Sequence, residues 1–225
     1  QAPNCLPAHV TLYQILSFQQ KFSELEQAAL NAIKHNSDHA QSFHALSNAQ
    51  RFQRKTSEAL HAMEKAIALE TENTAWRNSL GIMHKELGNI DEALKHFEQC
   101  IKQRPDFTQA YWNRSDIQAQ LPNNDLAFLT QLLDHGEEAE TKKKVYAAYT
   151  LFKHFEVTGD FDKAFYYLKL GATKHRSSFN YDHQAELIEH KNIEKVLSKQ
   201  FFTQNKITRQ NTKVNIPEDL SLIHI

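Results

Sequence analysis

The sequence predicts an all-α fold in which helical hairpins stack into a solenoid. Its main support is a 34-residue step that recurs at several kinds of position: Leu46 to Leu80, Thr56 to Ile90, Ala59 to Ala93 and Ala66 to Cys100. Composition agrees, because only five glycines and five prolines interrupt 225 residues, as expected of a chain that is nearly all helix. In such a fold each repeat buries its apolar face against its neighbours, so the core is a continuous seam and not one centre.

The repeat around Trp76 shows the hairpin most clearly. Trp76-Arg-Asn-Ser-Leu80-Gly81 opens it, Gly88-Asn89-Ile90-Asp91-Glu92-Ala93-Leu94 continues it, and Phe97, Cys100 and Pro105 complete it. Gly81 and Ala93 are small where two helices must approach closely. Gly88 suits the left-handed backbone that ends a first helix, Asp91 is expected to cap the second, and Pro105 stops the hairpin. A leucine, an alanine thirteen residues later and a small residue seven after that, in a 34-residue unit, resemble the tetratricopeptide repeat (TPR).

One period back, residues 40–73 place Phe43, Leu46, Ala59, Met63, Ala66 and Leu69 on the packing positions, with Ser47 and Arg54 standing where Gly81 and Gly88 would be. A further step gives residues 6–39, with Leu12, Leu16, Phe22, Leu25, Ala29 and Ala32 in register and Leu25 in the small-residue position, which implies looser packing. Forward, Ala110, Tyr111, Ala127 and Leu132 mark a weak, shortened fourth unit with Pro122 in its turn. The stretch from Phe107 to Leu121 contains no glycine or proline and reads as a firm helix.

A fifth unit runs through Tyr149-Thr-Leu151-Phe152, Gly159-Asp160-Phe161-Asp162-Lys163-Ala164-Phe165, Leu168 and Gly171. Ala93 and Ala164 lie 71 residues apart, three more than two periods, and the slip falls near Gly136 to Lys144. The charged run Glu137 to Lys144 is expected to be a solvated connection or a helix start. Phe161, Phe165, Tyr166 and Tyr167 are expected to pack within the repeat.

The domain boundaries read as 1–176 for a solenoid of about five hairpins, 177–204 for a connecting helix, and 205–225 for a linker and strand. Ala185 to Phe202 carries an apolar face of Leu187, Ile188, Ile193, Val196 and Leu197. Asn205 to Asp219 is polar, and Leu220-Ser-Leu-Ile-His-Ile225 has the aliphatic character of a strand. A lone strand leaves its backbone groups unpaired, so the tail is expected to belong to a further α/β domain, the alternative being a frayed hydrophobic tail that docks on the solenoid. Gln1 is not a natural translation start, so the N-terminus is expected to be cut, with a removed signal segment left open and a cytoplasmic location favoured.

The order Gly159-Asp160-Phe161-Asp162-Lys163-Ala164-Phe165, Gly171, Lys174-His-Arg176, Tyr181-Asp182, amphipathic helix, polar linker and aliphatic strand is similar to the TPR sulfotransferases. The resemblance implies a helical arm ahead of a domain that transfers sulfuryl from 3′-phosphoadenosine 5′-phosphosulfate (PAPS). The family's phosphosulfate loop, Gly-x-Pro-Arg-Ser-Gly-Thr, would follow Ile225, and no glycine follows Gly171. The resemblance therefore assigns this stretch no catalytic residue, cofactor or metal ligand, and expects PAPS only for the parent. The alternative is a stand-alone TPR scaffold. A TPR array fused to another transferase, such as a glycosyltransferase, is a remoter third.

Charge and histidine spacing limit other functions. The formal net charge is -1 and the pI about 7.0, so no basic field attracts nucleic acid. No apolar run is long enough to span a membrane. His35, His39 and His44 are close in sequence, but no cysteine or carboxylate completes a zinc-like set. Cys5 and Cys100 do not suggest a disulfide.

The expected activity is binding of a protein or peptide along the groove lined by the first helix of each hairpin. Candidate contacts are Gln41, His44, Asn48 and Arg51, then Asn78, Ile82 and Lys85, then Gln109, Trp112 and Asp116. Asn48 and Asn78 suit a peptide backbone and Arg51 or Lys85 a carboxylate. Trp112 is expected to be an exposed indole that needs a partner.

Overall fold

The computed structural model describes residues 6–135, 141–179 and 183–196, which form eleven helices and no strand. They are α1 (Leu6–Phe18), α2 (Phe22–His35), α3 (Ala40–Phe52), α4 (Thr56–Leu69), α5 (Thr74–Glu86), α6 (Ile90–Gln103), α7 (Thr108–Ser115), α8 (Asn123–His135), α9 (Thr141–Thr158), α10 (Phe161–Ser177) and α11 (His183–Val196). The fold is a TPR-type helical solenoid. The chain divides into two compact units, Gln1–Ser178, which contains α1 to α10, and Phe179–Ile225, which contains α11.

Each full hairpin turns by the same device. Gln20, Arg54, Gly88 and Gly159 all have positive φ, between 55° and 83°. The next residue then donates its N–H back five positions: Lys21 to Leu16, Lys55 to Gln50, Asn89 to His84 and Asp160 to Phe155, at 2.9–3.0 Å. This bond satisfies a carbonyl that the helix end leaves free. Glycine takes the left-handed conformation without strain, whereas Gln20 and Arg54 carry a Cβ into it.

Close helix approach in the third hairpin depends on Gly81, where an added Cβ would lie 2.6 Å from Phe97 Cε1. In the second hairpin Ser47 takes this place, and its buried hydroxyl donates to the Ala59 carbonyl at 2.6 Å. Leu25 is fully buried with Tyr13, Leu16, Ala29, Ala32, Ala45, Leu46, Ala49 and Ala62, so the larger residue fills the first hairpin instead of loosening it. Met63, Ala66, Trp76, Leu80 and Met83 continue the seam, and Tyr111, Leu121, Leu129, Ala147 and Leu151 form its last segment.

The stretch 107–121 is not one helix, because α7 stops after eight residues at Ser115. Pro122 disfavours a helical residue before it. Leu121 is instead drawn into the core beside Tyr111 and Leu151, and its N–H donates to His154 Nδ1 at 3.0 Å. α8 then packs on α9, while Arg114 reaches back from α7 to Asp125 of α8 at 2.6 Å.

Asp91 is not a cap, since α6 begins at Ile90 and Asp91 lies in its first turn. There its carboxylate favours the positive helix end without bonding a terminal N–H. Asp160, by contrast, caps α10 through the Lys163 N–H at 3.2 Å. Of the four aromatics expected to pack in the last hairpin, Tyr167 stacks on Phe155, but Phe161, Phe165 and Tyr166 are 70, 67 and 59% exposed. Their side of α10 faces away from α9, which covers Ala164 and Gly171. Of the charged run, Thr141 to Lys144 start α9 and residues 137–140 lie outside the described residues, as do the linker, the strand-like tail and Leu197 to Phe202.

Candidate functional site

The first helices α1, α3, α5, α7 and α9 are joined by side-chain contacts into one continuous face. Tyr13 on α1 and Ser42 on α3 share a buried hydroxyl hydrogen bond of 2.8 Å, and His39 Nδ1 meets the same Ser42 oxygen at 2.6 Å. Arg51 on α3 grips Glu86 at the end of α5 through Nη2 at 2.5 Å and Nε at 3.3 Å. Asn113 on α7 donates from Nδ2 to Asn78 Oδ1 on α5 at 2.9 Å, with both residues buried. Lys85 on α5 bonds Asp116 at 2.7 Å, and Lys153 on α9 pairs with the other oxygen of the same carboxylate.

These partners change how several expected contacts behave. Arg51 and Lys85 do not stand as unpaired cations for a ligand carboxylate, because each already bonds a carboxylate within the face, Arg51 that of Glu86 and Lys85 that of Asp116, which it shares with Lys153. Asn78 spends its carbonyl oxygen on Asn113. Trp112 is not an exposed indole but half-buried: Lys153 Nζ lies 3.6 Å from its ring centroid and the Tyr149 ring 5.7 Å away. Tyr149 and the cation supply the cover that the sequence reading assigned to an external partner.

Gln41, His44 and Asn48 come together in a cavity of about 360 Å³ between α1 and α3, whose other walls are Val10, Tyr13, Gln14, Ser17 and Ala45. His44 stacks on Trp76 with ring centroids 4.7 Å apart. Asn48 Nδ2 lies 3.2 Å from His44 Nε2, so the amide donates and the imidazole carries its proton on Nδ1. Burial pushes the His44 pKa from 6.5 down to about 4 and keeps the ring neutral. Burial also opposes the charge of Asp116, but the hydrogen bonds from Lys153 and Lys85 outweigh it and hold the carboxyl below its ordinary range.

Ile82 is half-buried on α5. Gln109 belongs to a separate cavity of about 530 Å³, beside Arg104, Phe107, Lys143 and Tyr146. Eight of the ten expected contacts thus divide between a neutral pocket, a ladder of paired charges, a buried amide bond and a second cavity, while Ile82 and Trp112 stand apart from these groups. Sequence reasoning missed Val10, Gln14 and Ser17, although one 34-residue step back from His44, Asn48 and Arg51 reaches them. It also missed Tyr149 and Lys153, which lie 37 residues after Trp112 and Asp116 because of the phase slip.

Among the described residues no group of three or more histidines, cysteines or acids is arranged to hold a metal ion. His39 is engaged with Ser42 and His44 with Trp76 and Asn48. Cys100 is a buried free thiol whose pKa burial pushes up to about 12. No described helix is long and apolar enough to cross a membrane.

Residues 81–134 match the tetratricopeptide repeat family model. No curated protein matches the chain in sequence. Solved structures share its fold at low identity. A tetratricopeptide repeat protein from Parabacteroides merdae is 17% identical with a TM-score of 0.59, covering 76% of this chain and 67% of its own. PilF of Pseudomonas aeruginosa is 16% identical with a TM-score of 0.56, over 76 and 78%. YrrB, described as a TPR protein with an unusual peptide-binding site, is 18% identical with a TM-score of 0.53, over 81 and 90%.

Proposed function

We propose that this chain is a protein-interaction scaffold that binds an extended peptide or protein segment along the face of its first helices. The observation that carries the reading is the lateral continuity of that face, from the α1–α3 pocket through the charge ladder to Trp112. A row of parallel helices held at fixed spacing presents hydrogen-bonding side chains at regular intervals, which is what an extended segment requires. YrrB adds a precedent for peptide binding on this fold. Binding needs no metal or cofactor from the chain itself.

The test is selection of peptides from a random display library, followed by amide chemical-shift mapping on the full chain. Perturbations are expected on α1, α3, α5 and α7. Perturbations confined to α2, α4 and α6 would overturn the assignment.

The finer reading makes the chain the substrate-recruiting arm of a PAPS-dependent sulfotransferase, with the chemistry supplied downstream. It is supported by the resemblance running from Gly159 to the aliphatic tail. None of the similarities above involves a sulfotransferase, and the tail lies outside the described residues. Translation of the gene beyond Ile225 tests it: a Gly-x-Pro-Arg-Ser-Gly-Thr loop supports the sulfotransferase arm. A stop codon or an unrelated continuation leaves the stand-alone scaffold.

A further inference from the structure

We propose that the pocket between α1 and α3 takes an uncharged, extended peptide segment rich in hydroxyl and amide side chains. The inference rests on the reading of the first-helix face as a peptide-binding surface and adds the chemistry of what is bound.

The pocket has no lysine, arginine, aspartate or glutamate in its wall. Gln14 and Ser17 on α1, and Gln41 on α3, make no side-chain hydrogen bond among the described residues. Each therefore offers groups to a ligand without first breaking a bond inside the protein. Gln14 and Ser17 are three apart on one helix, while Gln41, His44 and Asn48 lie at steps of three and four on the other, so each set projects from one helical face. Seven residues of helix rise about 10 Å, the length of about three residues of extended chain. Two rows of polar groups over that length match the alternating N–H and C=O groups of a peptide backbone.

A charged side chain entering this pocket meets no counter-ion. The nearest cation along α3, Arg51, is held by two bonds to Glu86. His44 stays neutral because its ring is buried against Trp76 and accepts the Asn48 amide. An ionised group placed here loses water and gains hydrogen bonds but no counter-charge, whereas a serine, threonine, asparagine or glutamine replaces its water bonds without a charge to desolvate. The ladder beyond the pocket opposes acidic ligands less strictly, since Lys85, Asp116 and Lys153 sum to one positive charge. Selectivity for neutral segments is therefore located at the α1–α3 end.

The experiment uses the full chain and three pools of end-blocked peptides about ten residues long, a length that also reaches the neighbouring repeat. One pool contains only Ser, Thr, Asn, Gln and Gly; the others place Glu or Lys at alternate positions. Fluorescence anisotropy gives affinity, and side-chain amide shifts of Gln14, Gln41 and Asn48 report the site. The neutral pool is expected to bind at least about tenfold more tightly, with little change between about 0.05 and 0.5 M salt. Gln41→Leu and Asn48→Leu together are expected to remove the preference. Their fold is checked by circular dichroism, and if they unfold, Gln14→Leu on the exposed side of α1 replaces them. A charged pool that binds more tightly, or shifts those three amides more strongly, overturns the inference. Charged pools that perturb only α5 to α9 leave the general reading standing while the pocket assignment falls. If no pool perturbs any first helix, both fall together.

Discussion

Gly81→Ala is the sharpest test of how the third hairpin is held. The new Cβ would lie 2.6 Å from Phe97 Cε1, 3.0 Å from Cδ1 and 3.1 Å from Cζ. Carbon atoms rest about 3.5–4.0 Å apart, so the ring must retreat by about 1 Å. Phe97 is fully buried, so the ring cannot swing out into solvent. Overpacking of this kind costs about 1–3 kcal/mol. Alanine recovers about 1 kcal/mol of helix propensity over glycine, which leaves a net loss of about 1 kcal/mol. Phe97→Leu is destabilising alone but withdraws the ring edge, so in that background Gly81→Ala is expected to be neutral or stabilising. The coupling between the two sites is then about 1–2 kcal/mol. Urea unfolding followed by circular dichroism gives the four stabilities of the cycle. Amide exchange in α5 and α6 localises the effect, since solenoid repeats open locally. A stabilising Gly81→Ala with no coupling to Phe97 would refute the packing argument.

The left-handed turns yield an opposite expectation: Arg54→Gly should stabilise the second hairpin by about 0.5–1 kcal/mol by relieving a strained φ, seen as a higher urea midpoint; a drop would show that the Arg54 side chain matters more than its backbone. Acid should weaken the fold through His44. Its folded pKa of about 4 lies below the ordinary 6.5, so its stabilisation is complete above about pH 6.5 and is lost as pH falls towards about 4, amounting to about 3 kcal/mol. His96, pushed to about 4 by burial and then by His84, acts in the same window. His44→Gln should flatten the urea midpoint measured across this range, and an unchanged slope would rule His44 out. Asn78→Leu should cost about 1–3 kcal/mol by leaving the Asn113 amide buried without its acceptor, and Asn113→Leu added to it should recover part of the loss. Equal losses in the single and double variants would mean that the bond contributes nothing.

The fold was legible because its signal is long-range and repetitive. Thr56, Ala59 and Ala66 need not be individually informative when Ile90, Ala93 and Cys100 repeat them. Repetition says nothing of polar pairing, which is why Glu86 and Lys153 were absent from the expected site although their partners Arg51 and Asp116 were in it. Each pair joins neighbouring repeats through side chains on different helices, and a search within one repeat does not meet them. The expected exposure of Trp112 failed for the same reason. The short α7 was missed because absence of breakers is weak evidence for helix, whereas the burial of Leu121 against α9 is a tertiary contact. Gln14 and Ser17 lie one period before Asn48 and Arg51, so their place on the face is written in the repeat itself.

Asp116 is held from both sides, by Lys85 31 residues before it and Lys153 37 residues after it. The three extra residues that separate the later repeat from strict periodicity therefore leave the contact between first helices intact. The connection between Ser115 and Thr141 absorbs the difference, while the first three full hairpins keep their turns at one fixed interval. Repeat length and surface pattern are consequently separate variables in this chain. Insertions or deletions behind the face can accumulate without redrawing what the face displays, and a change in what it displays needs only substitutions.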